Sequence, residues 1–495
     1  MRAALLSIVV WSALAFGAVY PWAYVPVLLV CVFLALATRP RSALSREERR
    51  LGLALGAVAV AIGLQLLPMP RPILGRLSPG TDAALLRLDL AYATVVLQDP
   101  RGAAHPLSLS PHDTAVAVAF LVALVALWAV AASLLASEGA RHLSRGIAAS
   151  GVLLAVIGIV QRAVADLPYG FWNSQEGGKP FGPFINRNHF AGWMIMALPV
   201  AIGGLSATLS SVEFPDRARW RERVLWLGSP QGGEVVLFGI SILVMAAGLA
   251  LTYSKSGVAG LCWVSAAMAV IAWRGQRTAR RGFLLMTTVS ALVLALLVWA
   301  GLDVIAARFG AMPASRLAGR LDAWRDAWDL WRLFPVTGVG VNAYGHAMLL
   351  HQQRDLAFHY LEAHNDYLQL LAEGGLLVAL PASVAVCLFI QLAGQRVRAA
   401  ADTRSGQWLR TGALAGIAAV AFQELFDFSL QVPADAVLFT LLMAIATHRV
   451  SRPDRHTASV RRSHAEAVLS RHGGVRPVAV AVPGVDRHRH RHQVR

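Results

Sequence analysis

Four short blocks of this sequence hold residue types that could do chemistry together. The richest is Glu362-Ala-His-Asn-Asp-Tyr-Leu-Gln-Leu-Leu-Ala-Glu-Gly-Gly375, where His364, Asn365 and Asp366 stand immediately before an apolar run. A second, Pro180-Phe-Gly-Pro-Phe-Ile-Asn-Arg-Asn-His-Phe-Ala-Gly192, sets Asn186, Arg187, Asn188 and His189 at the head of another apolar run. Tyr253-Ser-Lys-Ser-Gly257 carries Lys255, which with Lys179 makes up the chain's two lysines. Gly319-Arg-Leu-Asp-Ala-Trp324 supplies Arg320, and a smaller group, Asp427 and Phe428, lies just before Pro433.

The chemistry follows from the residue types. Arginine grips phosphate oxygens through a planar fork and stays charged, and lysine supplies a point charge. An imidazole that titrates near neutrality can take a proton from a hydroxyl. Two or three cations and one imidazole therefore suit a diphosphate leaving group and an attacking alcohol, as in glycosyl transfer from a lipid-diphosphate sugar. No acidic pair has metal-ligand spacing, and His359 and His364, five residues apart, would fall on different helix faces. The expectation is a site with no metal and no cofactor, in which basic side chains neutralise the diphosphate.

Each block also has a purely structural reading. Asparagine is a good helix N-cap, which would account for Asn186 and for Asn365 or Asp366. His189 would cap the mouth of its helix, and Arg320 would form a surface ion pair. Lys255 either snorkels to the interface or faces a polar cavity, and the sequence leaves both open. Capping does not account for Asn, Arg, Asn and His in succession at the head of one apolar helix.

The elements that position these blocks are membrane helices. The chain has 495 residues, 56% hydrophobic, with mean hydropathy +0.54. Apolar runs near the ~20 residues needed to span a bilayer recur from end to end. Only helices satisfy their backbone there within one segment, and the alternation of a membrane barrel is missing. Spans are expected at 4–19, 22–38, 51–68, 113–136, 147–165, 189–209, 234–253, 256–273, 283–302, 374–394, 410–427 and 434–449. The first two form an uncleaved hairpin turning near Pro21 rather than a removed signal. Cys31, Cys262 and Cys387 lie inside apolar runs and read as inert buried thiols.

The net charge of +17 does not point to nucleic acid, because the arginines cluster in alternate loops. With a cytoplasmic N-terminus, 31 of the 45 basic residues fall inside and 14 outside, six of the latter in one long loop. The tail after Ser451, with ten Arg and six His, reads as a disordered segment lying against the anionic inner leaflet. Two outer loops are long: 69–112, irregular or in short helices, and 303–373, too long for a plain connection. Within the latter, Asp322 to Leu333 is expected to be helical, headed by Arg320. Trp324, Trp328 and Trp331 would share one face at the membrane interface. Every polar block then falls on the outer side.

The blocks and their order resemble the O-antigen ligase and O-antigen polymerase superfamily. His364-Asn-Asp-Tyr-Leu-Gln carries the resemblance, with Asn186-Arg-Asn-His189, the Gly319-Arg320 helix start and the Asp427-Phe428…Pro433-Ala434 ending. It covers about 150–434. The resemblance implies an all-α polytopic, GT-C-like fold of about 12 transmembrane helices, with a long periplasmic loop bearing short helices. It divides the chain into N-terminal helices with an outer loop (1–150), a catalytic membrane region (151–434), a last helix (435–450) and a basic tail (451–495). It implies a bacterial inner-membrane enzyme moving a glycan from polyprenyl (undecaprenyl) diphosphate to a hydroxyl at the periplasmic face. The acceptor would be lipid A-core for a ligase, another repeat unit for a polymerase, or a protein hydroxyl, and these three stay open. The family's catalytic histidine maps onto His364. Its phosphate-binding arginines map onto Arg320 and Lys255, where lysine departs from the usual arginine. Arg187 would join them at the donor, with Asn186, His189, Asn365, Asp366 and Asp427 in support. A transporter of lipid-linked sugars is the distant rival, but no internal repeat is visible and the charges gather at one face.

Overall fold

The computed structural model describes residues 1–40, 44–164, 180–211, 220–274, 314–399 and 403–449, with the isolated positions 288, 291 and 295. The expected span 283–302, Lys179 and the tail after Ser451 lie outside the described residues, apart from those isolated positions. Helices stand at the other eleven expected spans. Six are long and apolar enough to cross a bilayer: Pro21–Thr38, Pro111–Ser137, Arg141–Ala163, Arg187–Leu209, Pro230–Thr252 and Asp366–Arg398. Arg2–Leu14 and Pro433–Thr447 are shorter apolar helices. The protein is a multi-pass, all-α membrane protein.

Local chemistry starts these helices where the sequence suggests. Pro21, Pro111, Pro230 and Pro433 each open a helix, where a missing N–H costs nothing. Ser45 and Glu48 close a capping box ahead of Arg46–Leu64. Asn186 caps Arg187–Leu209 through the Asn188 N–H, and Asn365 caps Asp366–Arg398 through the N–H groups of Tyr367 and Leu368.

Arg187–Leu209 is the central helix, buried along its apolar length. It packs against Arg404–Gln423 with almost no side chain between the backbones. A Cβ on Gly412 would lie 2.4 Å from the Pro199 carbonyl oxygen, and one on Gly203 2.7 Å from that of Trp408. Small residues let membrane helices approach this closely and gain dispersion contacts. Pro230–Thr252 and Arg141–Ala163 pack on its other sides.

Outside the spans, the 69–112 segment folds as three short helices closed by a two-residue antiparallel pairing, Met69–Pro70 with Ala104–His105. Gln65 then straps this region to the long loop. Its amide donates to the carbonyls of Thr337 (2.7 Å) and Glu373 (2.9 Å) and accepts from the Val341 N–H (3.1 Å). The strap sits at a break in the Asp366–Arg398 helix, where Gly375 takes φ 56° and ψ −163°. Only glycine adopts that conformation readily. The N–H groups of Leu376 and Leu377 turn to the Pro335 and Val336 carbonyls, and Val339 and Gly340 donate to Ala372 and Glu373. The outer turns 366–374 are thus held as a separate piece.

Three expectations need correction. Ala314–Leu333 is helical from residue 314, so Arg320 stands well inside the helix rather than at its head. His359 and His364 lie in a non-helical stretch, so the argument from helix faces does not apply to them. Cys31 is buried, but Cys262 and Cys387 are exposed, because their positions on apolar helices face outward.

Candidate active site

The blocks that are far apart in sequence meet at one end of the helices. His364 is presented by the loop after helix Tyr344–His351, and that loop is laced to the Ala314–Leu333 helix. Asp326 accepts from the backbone N–H groups of Gln353 and Arg354 and from the Arg354 guanidinium. The Tyr360 hydroxyl donates to Asp355 at 2.6 Å, and the Ala363 N–H donates to Gln369 at 2.8 Å. His364 itself has φ 52°, the left-handed region, which costs a non-glycine residue about 1–3 kcal/mol. Its carbonyl accepts from the Trp324 indole at 3.3 Å. The next residue, Asn365, starts the helix, so the strained turn is fixed from both sides.

The imidazole packs on the Phe428 ring, with centroids 5.1 Å apart. His189 packs on the same ring at 4.8 Å. Nδ1 of His364 and Nε2 of His189 are buried and have no hydrogen-bond partner among the described residues. Buried polar atoms are nearly always paired, so these two ring nitrogens beside one phenyl ring are open to a water or a ligand.

Arg320 is the cation of this group. Burial, and then the Arg320 charge, push the His364 imidazole from 6.5 down to about 4. The imidazole is therefore neutral at physiological pH and available as a base. The same guanidinium also attracts the Asp427 carboxylate. Asp427 is fully buried, accepts from the Ser256 hydroxyl at 3.1 Å and bonds the Asn188 side chain. Through Asp427 the turn between Pro230–Thr252 and Lys255–Arg274 joins the site. Lys255, the first residue after that turn, is half-buried between the buried Ser254 and Ser256. Tyr253 makes the turn with φ 52° and lies under the Arg162 guanidinium, 5.7 Å from the ring centre.

The other expected residues take positioning roles. Asn186 caps its helix and thereby points His189 at Phe428. Arg187, the first residue of that helix, is half-buried, and it is Arg320 rather than Arg187 whose charge acts on His364. Asp366 does not turn toward His364. It takes the Gln431 amide at 2.6 Å and meets the Glu424 carboxyl, while its N–H donates to the Glu424 carbonyl at 3.0 Å. Gln369 joins Gln431 (3.2 Å), Glu373 (3.3 Å) and Glu362 into one buried network beneath the histidine. Burial and the nearby Glu373 charge push the Glu362 carboxyl up to about 8. Trp324, Ser256 and Gln431 touch the site residues but were given no part in it from sequence, and Phe428, named there, was given no role. The tryptophan pattern gave Trp324 to a membrane-facing stripe, whereas its indole holds the histidine loop.

Among the described residues no three His, Cys, Asp or Glu side chains are disposed to hold one metal ion. The arrangement offers a neutral imidazole and a guanidinium near a buried carboxylate, with Lys255 next in sequence to the Ser256 that bonds it, at one end of the helix bundle. The sequence profile of the family described as O-antigen ligase matches residues 240–383, the stretch holding Lys255, Arg320 and His364. This segment places the resemblance with the O-antigen ligase and polymerase superfamily, and glycan transfer of that general type comes with it. The blocks around His189 and Asp427 lie outside the match and are joined to it by the contacts above. No curated protein matches the chain.

Proposed function

We propose that this protein transfers a glycan from a polyprenyl (undecaprenyl) diphosphate carrier to an acceptor hydroxyl at the periplasmic face of the bacterial inner membrane. The reading rests chiefly on one observation: the buried His364 imidazole, with an orphaned nitrogen, sits in the field of Arg320. The acceptor oxygen attacks the anomeric carbon while His364 takes its proton. The bond from that carbon to the diphosphate breaks, and the leaving oxygen keeps the electron pair. Arg320, Lys255 and Arg187 hold the diphosphate and offset its charge, with no metal required. Attack opposite the leaving group inverts the linkage in one step. The donor's own charge works in the same direction. A diphosphate beside His364 opposes the field of Arg320 and raises the basicity of the imidazole once the donor is bound.

A lipopolysaccharide ligase with lipid A-core as acceptor is the first form of this reading. A polysaccharide polymerase is the second, and Lys255 favours it, because lysine keeps the charge but loses the bidentate fork. Lys255→Arg should leave transfer intact or improve it, as read by KM for the lipid-linked donor. A large loss of activity would remove this position from the diphosphate site.

The reading is tested by deleting the gene. Polyprenyl-diphosphate glycan should accumulate on the outer leaflet while the acceptor stays bare, and the intact gene should reverse both. Accumulation on the inner leaflet would make the protein a transporter instead. The topology has its own check, motivated by the split of basic residues between alternate loops. Single cysteines placed at 352 and 405 should react with an impermeant thiol reagent from the outside and the inside, respectively. Reaction of both from one side would overturn the orientation.

A further inference from the structure

Four aromatic rings run away from the site in an unbroken row. Trp324 lies beside Phe426, with centroids 6.1 Å apart. Phe426 meets Phe422 edge-on at 5.8 Å, and Phe422 stacks on Trp263 at 5.4 Å with the planes 11° apart. The row begins at the chemistry, because the Trp324 indole donates to the His364 carbonyl and Phe426 adjoins Asp427. Trp324 also follows Arg320 by four residues on the same helix, so the two share a face. The row ends on the helix Lys255–Arg274, which stands at the expected span 256–273. Trp263 follows Lys255 by eight residues, about 12 Å along the helix. There Trp263 is 44% exposed, although its ring is stacked. Trp324, Phe426 and Phe422 are each half-buried, with exposed Leu425 beside them.

We propose that this row is the track for the polyisoprenoid tail of the donor, resting on the glycan-transfer reading above. The diphosphate sits between Arg320 and Lys255, and the first isoprene units lie on Trp324 and Phe426. Later units descend over Phe422 to Trp263 and leave toward lipid. The occupant is argued from continuity: one end of the row touches the catalytic loop, and the other opens where a bilayer would lie. Flat ring faces suit a methyl-branched, unsaturated chain, which makes many weak contacts and needs no hydrogen bonds. Trp263 and Phe422 then decide how strongly the enzyme prefers a long carrier to a short one.

The test uses the full chain in detergent with a polyprenyl-diphosphate glycan bearing a diazirine in its tail. Photolysis should label peptides around Trp263 and Phe422, and excess unlabelled long-chain carrier should compete. Trp263→Ala and Phe422→Ala should each raise KM for the long-chain donor roughly tenfold, the loss expected for one apolar ring contact. KM for a donor of two isoprene units should stay unchanged, and kcat should hold for both. Trp263→Phe should recover most of the preference. Labelling elsewhere, or equal KM changes for long and short donors, would overturn the track while leaving glycan transfer standing. Labelling of the track in a protein that transfers nothing would instead support the track and refute the transferase reading.

Discussion

His364→Ala should cut the turnover of glycan transfer by about 10²–10⁴-fold, the usual contribution of a positioned general base. Donor binding should persist, because Arg320, Lys255 and Arg187 remain. The pH profile carries a second signature. Burial and Arg320 hold the free imidazole near 4, and it acts as a base only when neutral. Activity should therefore survive acidification through the ordinary histidine range and fall only as the pH drops through about 4. That limb belongs in kcat/KM, which reports the free enzyme. The limb in kcat should lie higher, because bound diphosphate opposes Arg320. A kcat/KM limb at the ordinary 6.5 would mean that another group, or a differently placed His364, is the base. His189→Ala is the control. Its ring shares Phe428 with His364 but stands on the helix capped by Asn186, and its loss should fall far short of the His364 effect.

Arg320→Ala should reduce donor affinity by about 30-fold to several-thousand-fold. That corresponds to the roughly 2–5 kcal/mol usual when one member of a charge-paired contact is removed. Transfer should fall to a small residual level while the protein still folds and inserts. The guanidinium acts on two groups, so its loss has a second effect. Burial, the larger cause of the low imidazole value, remains, but the Arg320 contribution is lost, so the acid limb of kcat/KM in any residual activity should move up from about 4. Arg320→Lys should restore the low limb more fully than it restores donor affinity, because a point charge keeps the field but not the fork. Unchanged donor binding in Arg320→Ala would remove this residue from the diphosphate.

Much of this site can be read from sequence, for physical reasons specific to each part. Asn186 and Asn365 are caps whose meaning is local, so the starts of their helices and the positions of His189 and His364 follow directly. Lys255 stands out because ionisable residues are scarce next to apolar runs, whereas Arg320 lies in a charge-rich stretch and owes its assignment to the family resemblance. What pairs with what could not be read. The bond from Ser256 to Asp427 joins residues 171 apart, and that from Trp324 to His364 joins residues 40 apart. Neither pairing leaves a mark on local spacing. Trp324 was misplaced because tryptophans at helical intervals look the same whether they face lipid or a loop. The break at Gly375 was hidden because a glycine inside an apolar run does not reveal that carbonyls from 335 and 336 will take over the helix bonds. Outward-facing Cys262 and Cys387 show the same limit, since in a membrane helix apolar residues line both the lipid face and the packed face.

The central claim is that His364 takes the acceptor proton while Arg320 holds the diphosphate. It is tested most directly by measuring donor binding and transfer side by side. Purified wild type, His364→Ala and Arg320→Ala would be given a polyprenyl-diphosphate glycan of known anomeric configuration and an acceptor, with EDTA present throughout. The account predicts that wild type releases polyprenyl diphosphate and makes a product of inverted configuration. It predicts that His364→Ala binds donor normally but barely turns over, and that Arg320→Ala fails to bind. Retention of configuration, loss of wild-type activity in EDTA, or normal turnover by His364→Ala would contradict it.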